Sequence, residues 1–250
     1  MSAITLCHLD ECILQAQSLF TRLLAKALKD QPVSREQYVR YLSFQYHLTK
    51  HIRLDFLAAS GHRDLALRRG LRDFLWRFAD DEELRYLVAA KDLAALGLAP
   101  LPMCLDVEMW HAYFRSIVRD RPFIRLGAAA LLENALAGVA GDSMERALRG
   151  SFLTSVNTRF VLRHWREGRM PGRQILDALH DADLERRHIQ DLVEGADKAT
   201  VLYLRMVEWA FDGESLARIC DDLSPAISAI EAQRIADFKD SDLRGVRVPA

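Results

Sequence analysis

The chain has 250 residues, 50% of them hydrophobic, and its 34 Lys and Arg against 35 Asp and Glu give a net charge of −1. That apolar content is enough for a substantial core, and the even mixing of signs leaves no basic stripe, which excludes a polyanion such as nucleic acid as the expected partner. Cys7, Cys12, Cys104 and Cys220 include no C-x-x-C pair, so neither a disulfide framework nor a zinc knuckle is indicated and reduced thiols in a cytoplasm are expected.

Asp10 and Glu11 interrupt anything resembling a signal peptide, and no run of about 18 uncharged residues suggests a membrane span. Apolar residues recur at the helical period almost throughout, without alternating β-branched runs or Asn-Gly hairpin signals, so the expected class is all-α in a single domain. A first helix is expected from about Asp10 to Lys29, closed by Gln31-Pro32. A second opens at Ser34, with Gln37 three residues on as a capping box, and runs to about Ser60-Gly61. It carries Tyr38, Tyr41, Phe44, Gln45, His47, Leu48 and His51, an aromatic surface suited to a pocket wall, and its His47/His51 pair at i and i+4 is a possible metal-binding spacing.

Third and fourth helices are expected over about Asp64–Phe78 and Asp80–Leu96, the latter stopped by Gly97 and Pro100. The run Asp80-Asp81-Glu82-Glu83 reads as acids at a helix N-terminus, where the dipole favours them. A fifth helix, about Met103–Arg119, holds Trp110, His111, Tyr113 and Phe114. Pro122 then opens a sixth, rich in small apolar residues, with Glu133 in its middle. A carboxylate there costs several kcal/mol to bury alone, so it must be paired, protonated or bound to a metal. Further helices are expected over about Ser143–Arg166, Pro171–Glu194 and Ala196–Phe211, then a last one to about Phe238 and a charged tail from Lys239.

The segment Leu179-His180-Asp181-Ala182-Asp183-Leu184-Glu185-Arg186-Arg187-His188-Ile189 is the densest in metal-ligand chemistry. Read as helix, it sets Asp181, Glu185 and His188 within about 60° of one another. A Glu-x-x-His pair completed by carboxylates from neighbouring helices is how bundles build iron or manganese sites. The alternative is a solvated face carrying an incidental histidine.

The aromatic second helix, the Asp-Leu-x-x-Leu-Gly ending near Gly97, the Leu-Gly-Ala-x-x-x-Leu-Glu helix ending at Glu133 and the late Asp/Glu-x-x-His segment together resemble the heme-oxygenase-like fold over roughly residues 10 to 212. Within it, the chain is most similar to the heme-oxygenase-like di-iron oxidases and oxygenases. That resemblance implies a multi-helix bundle, a non-heme iron centre of up to two ions, with manganese as a possible substitute, and dioxygen as co-substrate. It implies oxidation of a small amino-acid or fatty-acid-like metabolite. Carried over position by position, it makes Glu83, Glu133, Asp181, Glu185 and His188 the metal ligands. Tyr41, His47, His51, Tyr86, Arg125 and Arg159 are the candidate substrate pocket, the arginines as carboxylate binders.

The chain departs from the family where histidines are expected: Tyr86 stands in one such position and Asp181 in another. Two other readings therefore stand beside the iron one. The first is a metal-free enzyme of the same fold, like the thiaminase-type or pyrroloquinoline-quinone-synthase-like relatives, in which acids transfer protons. The second is a non-catalytic member serving as a partner protein. A homodimer is the expected assembly.

Overall fold

The computed structural model of the chain describes residues 6–28, 31–135, 145–166 and 171–211, all within the compact unit Met1–Phe211. The expected last helix and charged tail lie outside the described residues. Helices cover Cys7–Leu28 (α1), Arg35–Thr49 (α2), Ile52–Ser60 (α3), Arg63–Ala66 (α4), Arg69–Glu82 (α5), Arg85–Ala95 (α6), Leu105–Ile117 (α7), Pro122–Ala135 (α8), Arg159–Arg166 (α9), Pro171–His180 (α10) and Arg186–Phe211 (α11). Among the described residues there is no strand, and no helix is long and apolar enough to cross a membrane.

The local signals act as their chemistry requires. Ser34 Oγ accepts from Gln37 N–H while Gln37 Oε1 accepts from Ser34 N–H, so the capping box satisfies two orphan donors at the start of α2. Gly97, at φ 75°, closes α6: its N–H donates to Ala94 O and that of Leu98 to Leu93 O. Pro122 opens α8, whose side chains are buried without a break from Pro122 to Leu131. A helix apolar on every side belongs at the centre of a bundle.

α8 packs along α11, and two glycines bring the backbones together. A Cβ on Gly127 would lie 1.9 Å from Leu192 O, and one on Gly195 would lie 1.9 Å from Ile124 O. α1 and α2 pack against α11, α6 against α2, and α3 against α5.

Several expected helices are broken in two. The second is interrupted at His51 (φ −118°, ψ 5°), where α3 begins. The acidic run Asp80–Glu83 does not start a helix, as expected from the dipole; α5 runs through it and ends at Glu82, and α6 restarts at Arg85 after Leu84 (φ −106°, ψ 7°). Arg53 offsets acids at a helix C-terminus by pairing with Asp80 at 3.4 Å and Glu83 at 3.0 Å. The expected 143–166 helix is described only from residue 145, and its second half is a separate helix, α9, whose Phe160 N–H donates to the buried Asp92 Oδ2 at 2.8 Å.

The late ligand-rich segment is not one helix. α10 stops at His180, Asp183 takes a left-handed φ of 47°, and α11 begins only at Arg186. Asp tolerates that conformation better than most residues. From Arg186 the helix continues unbroken through Gly195 to Phe211, joining what the sequence suggests are two elements.

Candidate functional site

Where α5 breaks into α6, two side chains turn inward toward α8. Glu82 is 1% exposed, and Arg85, three residues on, has its Nη2 2.6 Å from Glu82 Oε1. Arg85 Nη1 lies 3.4 Å from Oε1 of Glu133, whose side chain is 7% exposed. One guanidinium thus stands between two buried carboxylates from different helices.

Arg163 acts on Glu82 and Arg125 on Glu133 beside Arg85, but for both carboxylates the loss of solvent outweighs these cations. Burial pushes Glu82 up to about 8, with Arg85 opposing and Glu133 adding to the rise. Burial also raises Glu133, again against Arg85. The pair therefore holds a proton at neutral pH, and the geometry favours Glu82 as its seat, because neither of its oxygens has an aligned hydrogen-bond partner among the described residues.

The cluster lines a cavity of ≈ 40 Å³. By that measure about three waters fit. Tyr41, Gln45 and Thr49 of α2, Trp110 of α7, Arg125 of α8 and Tyr203 of α11 complete its walls. Arg125 is 1% exposed and paired with Asp55 at 3.1 Å, its guanidinium carbon 4.8 Å from the centre of the Phe56 ring. Its Nη1 has no hydrogen-bond partner among the described residues. Burial raises the Tyr41 phenol to about 12 and Tyr203 well above its ordinary value, so both keep their protons. Gln45 Nε2 donates to Tyr203 Oη at 3.4 Å.

Of the five candidate metal ligands only Glu133 reaches this cavity. Glu83 points outward to Arg53. Asp181 is exposed in the break between α10 and α11. Glu185 is also exposed, held by Arg187 at 3.1 Å and Arg68 at 3.4 Å. His188 is buried elsewhere: its Nδ1 accepts from Glu185 N–H, its Nε2 lies 3.4 Å from Asp64 Oδ2, and its ring centre is 4.3 Å from that of Phe123. The helix break separates residues that one continuous helix would have aligned.

The helix that does reach the cavity from this side is α11. Around its lining residue Tyr203, the buried positions four before and three after are Ala199 and Met206, so this stretch offers neither imidazole nor carboxylate. Among the described residues no group of three or more His, Cys, Asp or Glu is placed to hold a metal ion. The described residues therefore do not fit the iron or manganese centre implied by the resemblance, and the cation between the two carboxylates is Arg85.

Of the candidate pocket residues, Tyr41 and Arg125 line the cavity. His47 is structural, with Nε2 2.8 Å from Leu101 O, and the His51 ring stands edge-on to His111 at 5.6 Å. Tyr86 packs its ring 5.8 Å from Tyr46, and Arg159 is exposed at the start of α9. Sequence reasoning missed Glu82, Arg85, Asp55 and Tyr203. The Glu-x-x-Arg spacing of Glu82 and Arg85 was the available signal for the first two, hidden inside an acidic run.

No protein-family model and no curated protein matches the chain. Its structure is similar to the crystal structure of a domain of unknown function with a heme oxygenase-like fold from Shewanella denitrificans OS217, with a TM-score of 0.71 at 19% identity, covering 87% of this chain and 96% of that one. The chain has the heme-oxygenase-like fold. In this instance of the heme-oxygenase-like fold, the central cavity carries a carboxylate–guanidinium–carboxylate cluster.

Proposed function

We propose that the chain is a metal-independent acid–base enzyme for a small zwitterionic metabolite, with Glu82 as the group that exchanges a proton with the substrate. One observation carries this reading: Arg85 stands as a built-in cation between Glu82 and Glu133, and Glu82, ion-paired to it but without an aligned hydrogen bond among the described residues, faces a cavity. A carboxyl pushed up to about 8 exchanges protons near the pH where general acid–base groups work best.

The walls suit a ligand of two opposite poles. Burial outweighs the pull of Arg85 and Arg163 on Glu82, so an ammonium group beside Glu82 takes the place of the retained proton. Arg125 Nη1 is a buried donor without a hydrogen-bond partner among the described residues, suited to a carboxylate. When the ammonium group binds, Glu82 releases its proton to solvent and the carboxylate that forms is held by Arg85. When the ligand leaves, Glu82 takes a proton back from water. Tyr41 and Tyr203, protonated across the working range, orient the ligand as neutral donors.

The test is calorimetric titration of chelator-treated protein with glycine and β-alanine at pH 7, in two buffers of different ionisation enthalpy. Saturable binding with release of a fraction of a proton per ligand, absent in Glu82→Gln, is expected. Binding that appears only after loading with Fe(II) or Mn(II) would overturn the proposal and restore the oxygenase reading.

A further inference from the structure

A second cavity, of ≈ 50 Å³, lies beside the first, and its lining of Phe20, Leu24, Leu28, Val33, Leu148 and their neighbours is almost wholly apolar. Tyr41 lines both cavities. A second aromatic contact links them: Phe20 lines the apolar cavity, Tyr203 lines the polar one, and their rings stack at 5.9 Å with 28° between planes. Tyr41 is braced by Phe44 at 5.3 Å and Phe211 at 5.9 Å.

The lining of the second cavity offers water few hydrogen-bond partners, so an apolar group suits it better than water does. Next to it, across one phenol ring, is a cavity that wants charge. We infer that the two cavities form one bipartite site, in which the zwitterionic head occupies the Glu82 cavity and a short unbranched apolar tail enters the second, with Tyr41 as the residue that sets tail length. This inference rests on the proposed head-group chemistry and names the rest of the ligand: an amino acid with a linear aliphatic side chain of a few carbons. The phenol suits the boundary, since its ring packs against the tail while its hydroxyl stays on the polar side with Gln45.

The experiment is a calorimetric series on the full-length, chelator-treated protein with glycine, alanine, norvaline and norleucine. Expected is a fall in Kd of about fourfold for each methylene, the fold-change that corresponds to ~0.8 kcal/mol per buried CH2. Tyr41→Ala, which opens the boundary, extends the gain to 2-aminooctanoate. Leu148→Phe, which fills the second cavity, ends it at alanine. If Tyr41→Ala does not fold, as judged by circular dichroism, the natural protein and Leu148→Phe decide the matter. A series in which all four ligands bind equally, in natural protein and variants alike, overturns the bipartite site and leaves the head-group reading standing. Failure of every member to bind overturns that reading and the inference with it.

Discussion

Arg85 Nη2 lies 2.6 Å from Glu82 Oε1 across a helix break, and the same guanidinium reaches Glu133 on the central helix α8 at 3.4 Å. Where the resemblance leads one to expect a metal ion between carboxylates, the chain supplies a covalently attached cation. An arginine cannot be lost to a chelator, nor can it change oxidation state.

Removing that cation leaves two carboxylates buried without compensation. Arg85→Ala is expected to lower stability by about 3–5 kcal/mol, the usual cost of breaking a buried ion pair from one side. Mn(II) at millimolar concentration should recover part of the loss in the variant and leave the natural protein unchanged. Urea denaturation with and without the metal reads both effects.

The raised carboxyl at Glu82 makes stability depend on pH in a defined direction. The folded state binds this proton more tightly than the unfolded chain, so its contribution is full below the unfolded value of 4.5 and is lost as pH rises toward about 8. Over that window the slope is about −1.4 kcal/mol per pH unit for one proton. Glu82→Gln is neutral at every pH and should remove the slope, which denaturation midpoints of both proteins between pH 5 and pH 8 will show.

Arg125 is held by Asp55 and by the faces of Phe56, Trp110 and Phe114. Arg125→Met keeps much of the volume but leaves Asp55 charged and buried, so a loss of about 3–5 kcal/mol is expected. Adding Asp55→Leu should recover most of it, because the double variant buries no charge. If the single variant is as stable as the natural protein, the pair is not the buried contact described above.

The crossing of α8 and α11 has no room for a methyl group on either glycine. Gly127→Ala and Gly195→Ala would each drive a Cβ into a backbone carbonyl at 1.9 Å. Each should cost about 3 kcal/mol or more, despite the gain in helix propensity. Gly70, whose Cβ would meet nothing within 4 Å, is the control: Gly70→Ala should be neutral or slightly stabilising in the same thermal melts.

Much of the fold was legible because its signals are local. The helical period, the Ser34 capping box, Gly97 and Pro122 each act within one or two turns, and each does what its chemistry predicts. Glu133 was legible too, since a carboxylate amid small apolar residues demands an explanation wherever the helix lies.

The two helix breaks that decide the site carry no Gly or Pro. The chain turns at Leu84, a good helix former that marks no stop, and again at Asp183, whose low helix propensity is only a weak signal in so charged a segment. The resemblance named Glu83, one residue and about 100° around a helix from Glu82, the carboxylate that faces inward. Missing the second break put Asp181, Glu185 and His188 on one stripe, when the first two are exposed and His188 is buried against Phe123. The choice between Glu82 and Glu83 is made by distant partners, Arg53 outside and Glu133 within, and such pairings appear only once the chain is folded.

The protonation of Glu82 at neutral pH is the claim on which the functional account stands, and carboxyl-detected NMR of protein labelled with 13C at the glutamate side chains measures it directly. The account predicts one glutamate signal that titrates near pH 8 and is missing from Glu82→Gln. Titration of every glutamate below about pH 5.5, the range of ordinary carboxyls, would contradict it.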